Sequence, residues 1–375
     1  MRDRLWNIPG VMVPFLFSAF SVFSISMIVP QLASQFRTTI SSVLLSIPID
    51  FIGGAVGGVL LGYAADRYGR RMIILISSAL FGISTLVASF SISLSMIYVL
   101  WFLIGFGVNA QNGVSYPVIV ETLRRSSGTV GGVMQSFYFL GFLLDSVVFI
   151  FFHYWRTYLM VAGIITLLFS VPFSSMIRET GGRRIAAGRE TDPDFIRHTV
   201  AFSIVVIGAF MFSVPLMAVV PTLLSSVHLS TSYLIFLSLL GFTGFVLAGF
   251  LSDRFRRGYV AMAFTGGGVL FSAIILLAGV NTYFLEMLAA VYIASGFFSF
   301  TGIWVSENYR PGSRALATNI VFFSGRIVGG FSPFLATVMI PSSLASGISV
   351  VCLISGAMAF FASLYIVMLK THGKP

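Results

Sequence analysis

Residues 62–71 read GYAADRYGRR and residues 249–258 read GFLSDRFRRG. Asp66 and Asp253, the aspartates of these two cassettes, lie 187 positions apart in a chain of 375 residues. A second echo, ETLRRS from Glu121 and ENYRPGSR from Glu307, recurs at an offset of 186. A spacing held over two independent motifs marks a duplicated unit of about half the chain.

The stretches around the cassettes are almost purely apolar. Hydrophobic residues make up 57% of the sequence and charged residues 9%, against about 25% charged in a soluble domain. Mean hydropathy is +0.98. No Asp, Glu, Lys or Arg occurs in 72–120, 198–252 or 327–369. Each run is too long for one buried helix and fits two membrane spans of about 20 residues joined by a tight turn. Continuous apolar runs exclude a transmembrane barrel, whose strands alternate. Divided at charge clusters and at Pro, Gly and Ser breaks, the runs predict twelve helices. In the first half these are 8–34, 41–64, 71–90, 94–121, 128–152 and 157–177; in the second, 199–226, 231–252, 259–280, 283–307, 315–339 and 343–369. The first run is too long for a signal peptide and lacks a small-residue cleavage pattern, so it is expected to stay as the first helix.

A net charge of +10 invites a nucleic-acid reading, but its distribution argues otherwise. With the N-terminus inside, 19 of the 22 Lys and Arg residues fall in cytoplasmic segments; Arg37, Arg156 and Arg326 do not. Basicity therefore reports orientation, with both termini cytoplasmic in the cell membrane, and no nucleic-acid partner is expected. The one cysteine, Cys352, excludes an intramolecular disulfide and a thiolate metal cluster. No metal or cofactor is expected.

The longest polar stretch, RETGGRRIAAGRETDPDFIR at 178–197, has paired Gly, mixed charge and little periodicity. It reads as a cytoplasmic linker between two six-helix bundles, 1–177 and 198–375. The other loops are too short for a soluble catalytic domain, so no enzyme activity is expected.

The first cassette carries a specific resemblance. Gly62, Asp66, Arg67, Gly69, Arg70 and Arg71 match the G-x-x-x-D-R-x-G-R-R signature of the major facilitator superfamily, between helices 2 and 3. The second keeps Gly249, Asp253, Arg254 and Arg257, with Arg256 in place of the later Gly and Gly258 in place of a basic residue. Twelve spans, linker and repeat extend the resemblance over the whole chain. It implies an all-α integral membrane fold of two pseudo-symmetric six-helix bundles that transports by alternating access. The cassettes would then act as a cytoplasmic gate, with Asp66 accepting hydrogen bonds from Arg70 and from a neighbouring helix N-terminus, whose dipole favours negative charge. Glu121 with Arg125, and Glu307 with Arg314, resemble the partner network of the sugar- and organic-acid-porter branches. The plainer alternative is that these charges only cap helix ends and set topology.

Three ionisable residues fall inside spans: Asp50 in helix 2, Asp145 in helix 5 and Arg326 in helix 11. Each costs about 2.5–3.5 kcal/mol near mid-membrane, so each needs a partner or a wet cavity. Asp50 lies roughly 22 Å from the cytoplasmic end of its helix and Arg326 roughly 18 Å. Because helices 2 and 11 face each other in the superfamily, an Asp50–Arg326 pair is expected; local satisfaction within each half is the alternative. Gln135, Tyr138, Phe142 and Asp145 share one face of helix 5; Asn109, Asn112 and Tyr116 keep the same rhythm on helix 4, and Asn319, Phe322 and Arg326 on helix 11. As a set they are expected to line a central substrate and proton cavity, although any single Asn could serve helix packing. His153 and His228 fall near outer loops and read as surface residues.

Multidrug antiporters of the superfamily carry a Gly-Pro signature in helix 5, whereas GTVGGVMQSFYFLGFLLDSV at 128–147 has no proline. ETLRRSSG, Trp155-Arg156 and Ser324-Gly325-Arg326-Ile327-Val328-Gly329 look more like proton symporters of sugars, organic acids and related metabolites. Those symporters often place an acidic residue in helix 1, where this chain has FLFSAFSVFSIS, so proton coupling would fall to Asp50 or Asp145. The expected partners are a small-molecule substrate, protons and the lipid bilayer, with the monomer as the working form. A drug or metabolite efflux antiporter and an uncoupled uniporter stay open as alternatives.

Overall fold

The computed structural model describes residues 6–123, 128–178, 194–309 and 311–372. Among these described residues, twelve helices are long and apolar enough to cross a membrane. They are α1 (Asn7–Gln35), α2 (Ile40–Ala65), α3 (Arg70–Ala88), α4 (Leu94–Ser115), α5 (Gly128–Phe151), α6 (Trp155–Ser175), α7 (Phe195–Ala218), α8 (Tyr233–Arg254), α9 (Arg257–Ala278), α10 (Phe284–Glu307), α11 (Ala317–Val338) and α12 (Leu344–Leu369). Ten of the expected spans agree with these to within a few residues, while 94–121 and 199–226 were drawn six and eight residues past the ends of α4 and α7.

The two cassettes turn by different means, and the sequence explains the difference. The helix of α2 continues past its apolar span to Tyr68, and Gly69 alone links it to α3 at φ 100°, a conformation that a residue with a Cβ rarely adopts. At the equivalent position of the second cassette Arg256 keeps φ −61° and ψ 124°, so the chain passes extended through it before α9 begins. Arg256 in place of glycine thus changes the turn and leaves the helical hairpin intact.

The helices gather into two compact units. One holds residues 1–125, 137–183 and 220–236; the other holds 126–136, 184–219 and 237–375. In the first, α6 packs on α1 and α3, and α4 packs on α1, α2 and α3. In the second, α12 packs on α7 and α9, and α10 packs on α9, which is the same scheme shifted by six helices. α1 and α7 are enclosed by their neighbours, as the apolar character of all their faces requires. The outer faces of α3 and α9 expose Ile76, Ile83, Leu270 and Leu277, as suits contact with lipid.

Glycine permits the closest helix crossing. A Cβ on Gly53 or Gly57 would be driven into the backbone carbonyls of Phe102 or Phe106, and one on Gly105 into that of Asp50. Gly53-x-x-x-Gly57 therefore lets α2 lie backbone-to-backbone against α4. In the second unit Gly244 of α8 lies against the backbone of Ile293 of α10, so the Gly57–Phe106 contact recurs as Gly244–Ile293, each residue 187 positions on. The duplication is thus written in packing as well as in motifs.

A further repeat escaped sequence reading. After α1, Thr38 N–H donates to Ala33 O at 2.9 Å while Arg37 sits at φ 49°. After α7 the chain continues helically over Val220–Ser226, then Leu229 N–H donates to Leu224 O at 2.9 Å with His228 at φ 56°. Both are Schellman-type closures in which an ordinary residue takes the place that glycine usually fills.

Candidate functional site

At the cassette end of the second unit a charge network is fully formed. Asp253 accepts the backbone N–H of Gly128 at 2.7 Å, that of Thr129 at 2.8 Å and the Thr129 hydroxyl at 2.6 Å. Those groups open α5, whose first N–H groups have no partner within their own helix. Arg257, the first residue of α9, donates to Glu307 at 2.7 Å and lies 3.7 Å from Asp253. The backbone is close-packed here: a Cβ on Gly249 would fall 2.6 Å from Gly128 O, and one on Gly132 would fall 2.8 Å from Phe245 O. Glu307, expected beside Arg314, is held by Arg257. Arg254 is exposed at the end of α8.

In the first cassette Arg67 lies over the Tyr68 ring, 5.7 Å from its centroid, and Arg70 and Arg71 open the helix after Gly69. No described atom lies within 4 Å of a Cβ built on Gly62, in contrast to Gly249. Arg125 lies outside the described residues, as do the side chains of Asp66, Tyr116, Glu121 and Arg314.

The interior of the first unit holds the intramembrane carboxylates. Asp50 is 1% exposed on the α2 face that meets α4, and its Oδ1 has no hydrogen-bond partner among the described residues. Its backbone carbonyl abuts Gly105; one turn further along both helices, Gly54 abuts the amide of Asn109, which donates to Gly105 O at 3.3 Å. Asp50 and Asn109 therefore occupy successive rungs of one seam.

The α5 stripe separates into two places. Asn112 donates to the Tyr138 hydroxyl, and Phe15 and Phe23 of α1 stand edge-on to the Tyr138 ring at 5.3 and 6.5 Å. Seven residues on, roughly 10 Å along the helix, Asp145 is fully buried and its Oδ1 accepts the hydroxyl of Tyr158 on α6. Its Oδ2 has no partner among the described residues. Gln135 lies half-buried near the start of the stripe. Sequence reading missed Tyr158, which stands two residues after the Trp155-Arg156 pair and faces α5. It also missed Gln111, fully buried on α4 with neither side-chain amide atom bonded among the described residues, although Ile104, Val108, Gln111 and Ser115 keep a single helical face.

In the second unit Phe322 of α11 stands edge-on to Phe210 of α7 at 6.3 Å. Asn319 is exposed and Arg326 half-buried, two turns apart on α11. Asp50 belongs to the first unit and Arg326 to the second. Among the described residues no group of three or more His, Cys, Asp or Glu is arranged to hold a metal ion.

Comparison with known proteins agrees with this architecture. NiaP of Bacillus subtilis, ascribed to niacin/nicotinamide transport, is 23% identical over 360 residues, 89% of this chain and 88% of its own. A Cupriavidus pinatubonensis protein ascribed to 4-methylmuconolactone transport is 24% identical over 366 residues, 92% of this chain and 86% of its own. The xylose transporter XylE of E. coli, solved in an inward-open conformation, superposes with a TM-score of 0.77 at 18% identity, over 96% of this chain and 94% of its own. The family model of the Major Facilitator Superfamily matches residues 11–333. With that match, the major facilitator fold and relatives that carry small organic solutes, the chain belongs to the Major Facilitator Superfamily and is a membrane transporter, not an enzyme.

Proposed function

We propose that this transporter carries a small organic acid into the cell together with protons. The observation behind this reading is the pair of buried carboxylates, Asp50 on α2 and Asp145 on α5, each with one oxygen that accepts no hydrogen bond among the described residues. Carboxyl groups at membrane depth are the side chains from which proton relays are built. Arg326 on α11 supplies a fixed cation for a substrate carboxylate, and Asn109, Asn112, Gln135, Tyr138 and Asn319 supply neutral polar contacts. Relatives ascribed to niacin/nicotinamide and 4-methylmuconolactone favour small oxygenated solutes, and a Bacillus subtilis arabinose-proton symporter, 32% identical over 91 residues, favours coupling to protons.

The remaining assignments belong to the same proposal. The chain works as a monomer in the cell membrane with both termini cytoplasmic, and its halves are 1–177 and 198–375, joined by 178–197. Asp253, Arg257 and Glu307, with Asp66, Glu121, Arg125 and Arg314 in the first half, form the cytoplasmic gate. Asp50 and Arg326 are proposed to act on each other during the cycle.

Uptake into proteoliposomes under an imposed pH gradient tests the reading with labelled aromatic monocarboxylates, sugars and lipophilic cations. Carboxylate accumulation driven by an inward proton gradient and abolished by a protonophore is expected. Extrusion of the cations under the opposite gradient would overturn symport in favour of efflux, and uptake indifferent to the gradient would mean uniport.

A further inference from the structure

A groove of about 890 Å³ runs along the outside of the second unit between α7 and α12. Val200 and Ile204 form one wall, Leu353 and Phe361 the other, and the polar lining residues, Arg197 and Tyr365, stand together at one end. We propose that this groove binds one anionic phospholipid, with an acyl chain along the wall and the phosphate on Arg197.

The dimensions suit a lipid. From Leu353 to Tyr365 the groove follows twelve residues of α12, about 18 Å at 1.5 Å per residue. One leaflet of hydrocarbon is half of a core of about 30 Å. The walls open where Val200 and Phe361 are 56% and 65% exposed, a face that in a membrane protein meets acyl chains.

The polar end supplies charge and a fixed geometry. Arg197 Nε donates to the Tyr365 hydroxyl at 2.7 Å, and its guanidinium carbon lies 5.5 Å from the centre of that ring. Held through Nε, the guanidinium keeps both terminal nitrogens for an acceptor, the arrangement by which Arg grips phosphate in a bidentate fashion. Arg197 is the third residue of α7, and Tyr365 lies one turn before the end of α12. An alternately threaded chain puts the start of an odd helix and the end of an even one on the same membrane side, here the side of the cassettes. A Tyr and an Arg at that depth match the interfacial belt, with the Arg stem along the apolar wall and its head among the phosphates.

Native mass spectrometry of the full chain in detergent tests this with phosphatidylglycerol and phosphatidylcholine of identical acyl chains at equal concentration. Wild type is expected to retain phosphatidylglycerol roughly fivefold over phosphatidylcholine. Arg197→Gln should abolish that preference, and Arg256→Gln, a basic residue elsewhere on the same side, should keep it. Phe361→Trp, which fills the groove, should lower retention of both lipids. Should Arg197→Gln not yield folded protein, Tyr365→Phe provides the same reading by releasing Nε, with a reduced preference expected. Equal retention by wild type, an unchanged preference in both end variants, displacement of the lipid by excess inorganic phosphate, or a lipid-free dimer would each overturn the proposal. None of these readouts depends on transport, so the lipid site and the proton-coupled reading can fail separately.

Discussion

The carboxylate of Asp253, at the end of α8, caps α5 by accepting the N–H groups of Gly128 and Thr129 at 2.7 and 2.8 Å. A side chain of one helix thus does for another what an N-cap residue does for its own. The approach depends on missing Cβ atoms, because Gly128, Gly132 and Gly249 sit backbone against backbone. The cassette's glycine and its aspartate are therefore parts of one contact: the first brings the helices together and the second satisfies the donors exposed there.

Removing the cap separates its contribution from that of charge alone. Asp253→Ala leaves two backbone N–H groups and the Thr129 hydroxyl to water, at about 0.5–2 kcal/mol, the usual cost of a lost helix cap. Asp253→Asn keeps a carbonyl acceptor and should lose less. The unfolding midpoint of detergent-solubilised protein, followed by circular dichroism, should fall in the order wild type, Asn, Ala. If Ala matches wild type, Asp253 does not cap α5.

Equivalent glycines of the two cassettes should behave in opposite ways. Gly62→Ala meets no described atom within 4 Å and gains helix propensity of about 0.5–1 kcal/mol, so stability should hold or rise. Gly249→Ala places its methyl 2.6 Å from Gly128 O and must push the helices apart, at about 1–3 kcal/mol. Size-exclusion profiles and unfolding midpoints of the two variants decide the matter, and equal responses would contradict the asymmetry.

Spans and repeat followed from hydropathy and spacing, because each reflects a constraint acting on a whole segment. The interior was less legible. Helical rhythm grouped Tyr138 with Asp145 on α5, yet Tyr138 meets Asn112 and Asp145 meets Tyr158. A stripe tells which face a residue occupies, and the neighbouring helix at each height depends on crossing angles that periodicity does not encode. Glu307 likewise meets Arg257, which opens the adjacent helix, a partner that the family resemblance had not named.

The paired Schellman closures offer a gain in stability. Arg37 and His228 occupy the left-handed region at φ 49° and 56°, where a side chain strains the backbone by roughly 1 kcal/mol. Arg37→Gly and His228→Gly relieve that strain, partly offset by the greater freedom of glycine in the unfolded chain. Each should raise the unfolding midpoint by the equivalent of about 0.5 kcal/mol. A drop in either variant would mean that its side chain contributes contacts worth more than the strain.

Proton coupling should be separable from binding by neutralising the buried carboxylates. Asn at 145 can still accept the Tyr158 hydroxyl through its carbonyl, since only Oδ1 is engaged among the described residues. Asn at 50 leaves the Gly105 packing untouched, because that contact is made by backbone. Both variants should therefore fold, which their helicity and monodispersity verify. A carrier that has lost its titrating group can still exchange labelled for unlabelled substrate, because alternating access needs no net proton movement. It cannot accumulate substrate against a gradient. Asp50→Asn or Asp145→Asn is accordingly expected to keep counterflow while losing at least tenfold of concentrative uptake under an inward proton gradient, equivalent to about 1.4 kcal/mol of driving force. The variant that shows this split identifies the coupling carboxylate. A double Asn variant that still concentrates substrate in proportion to the proton gradient would place coupling outside both residues, and loss of counterflow together with uptake would mark the affected aspartate as a substrate or packing residue.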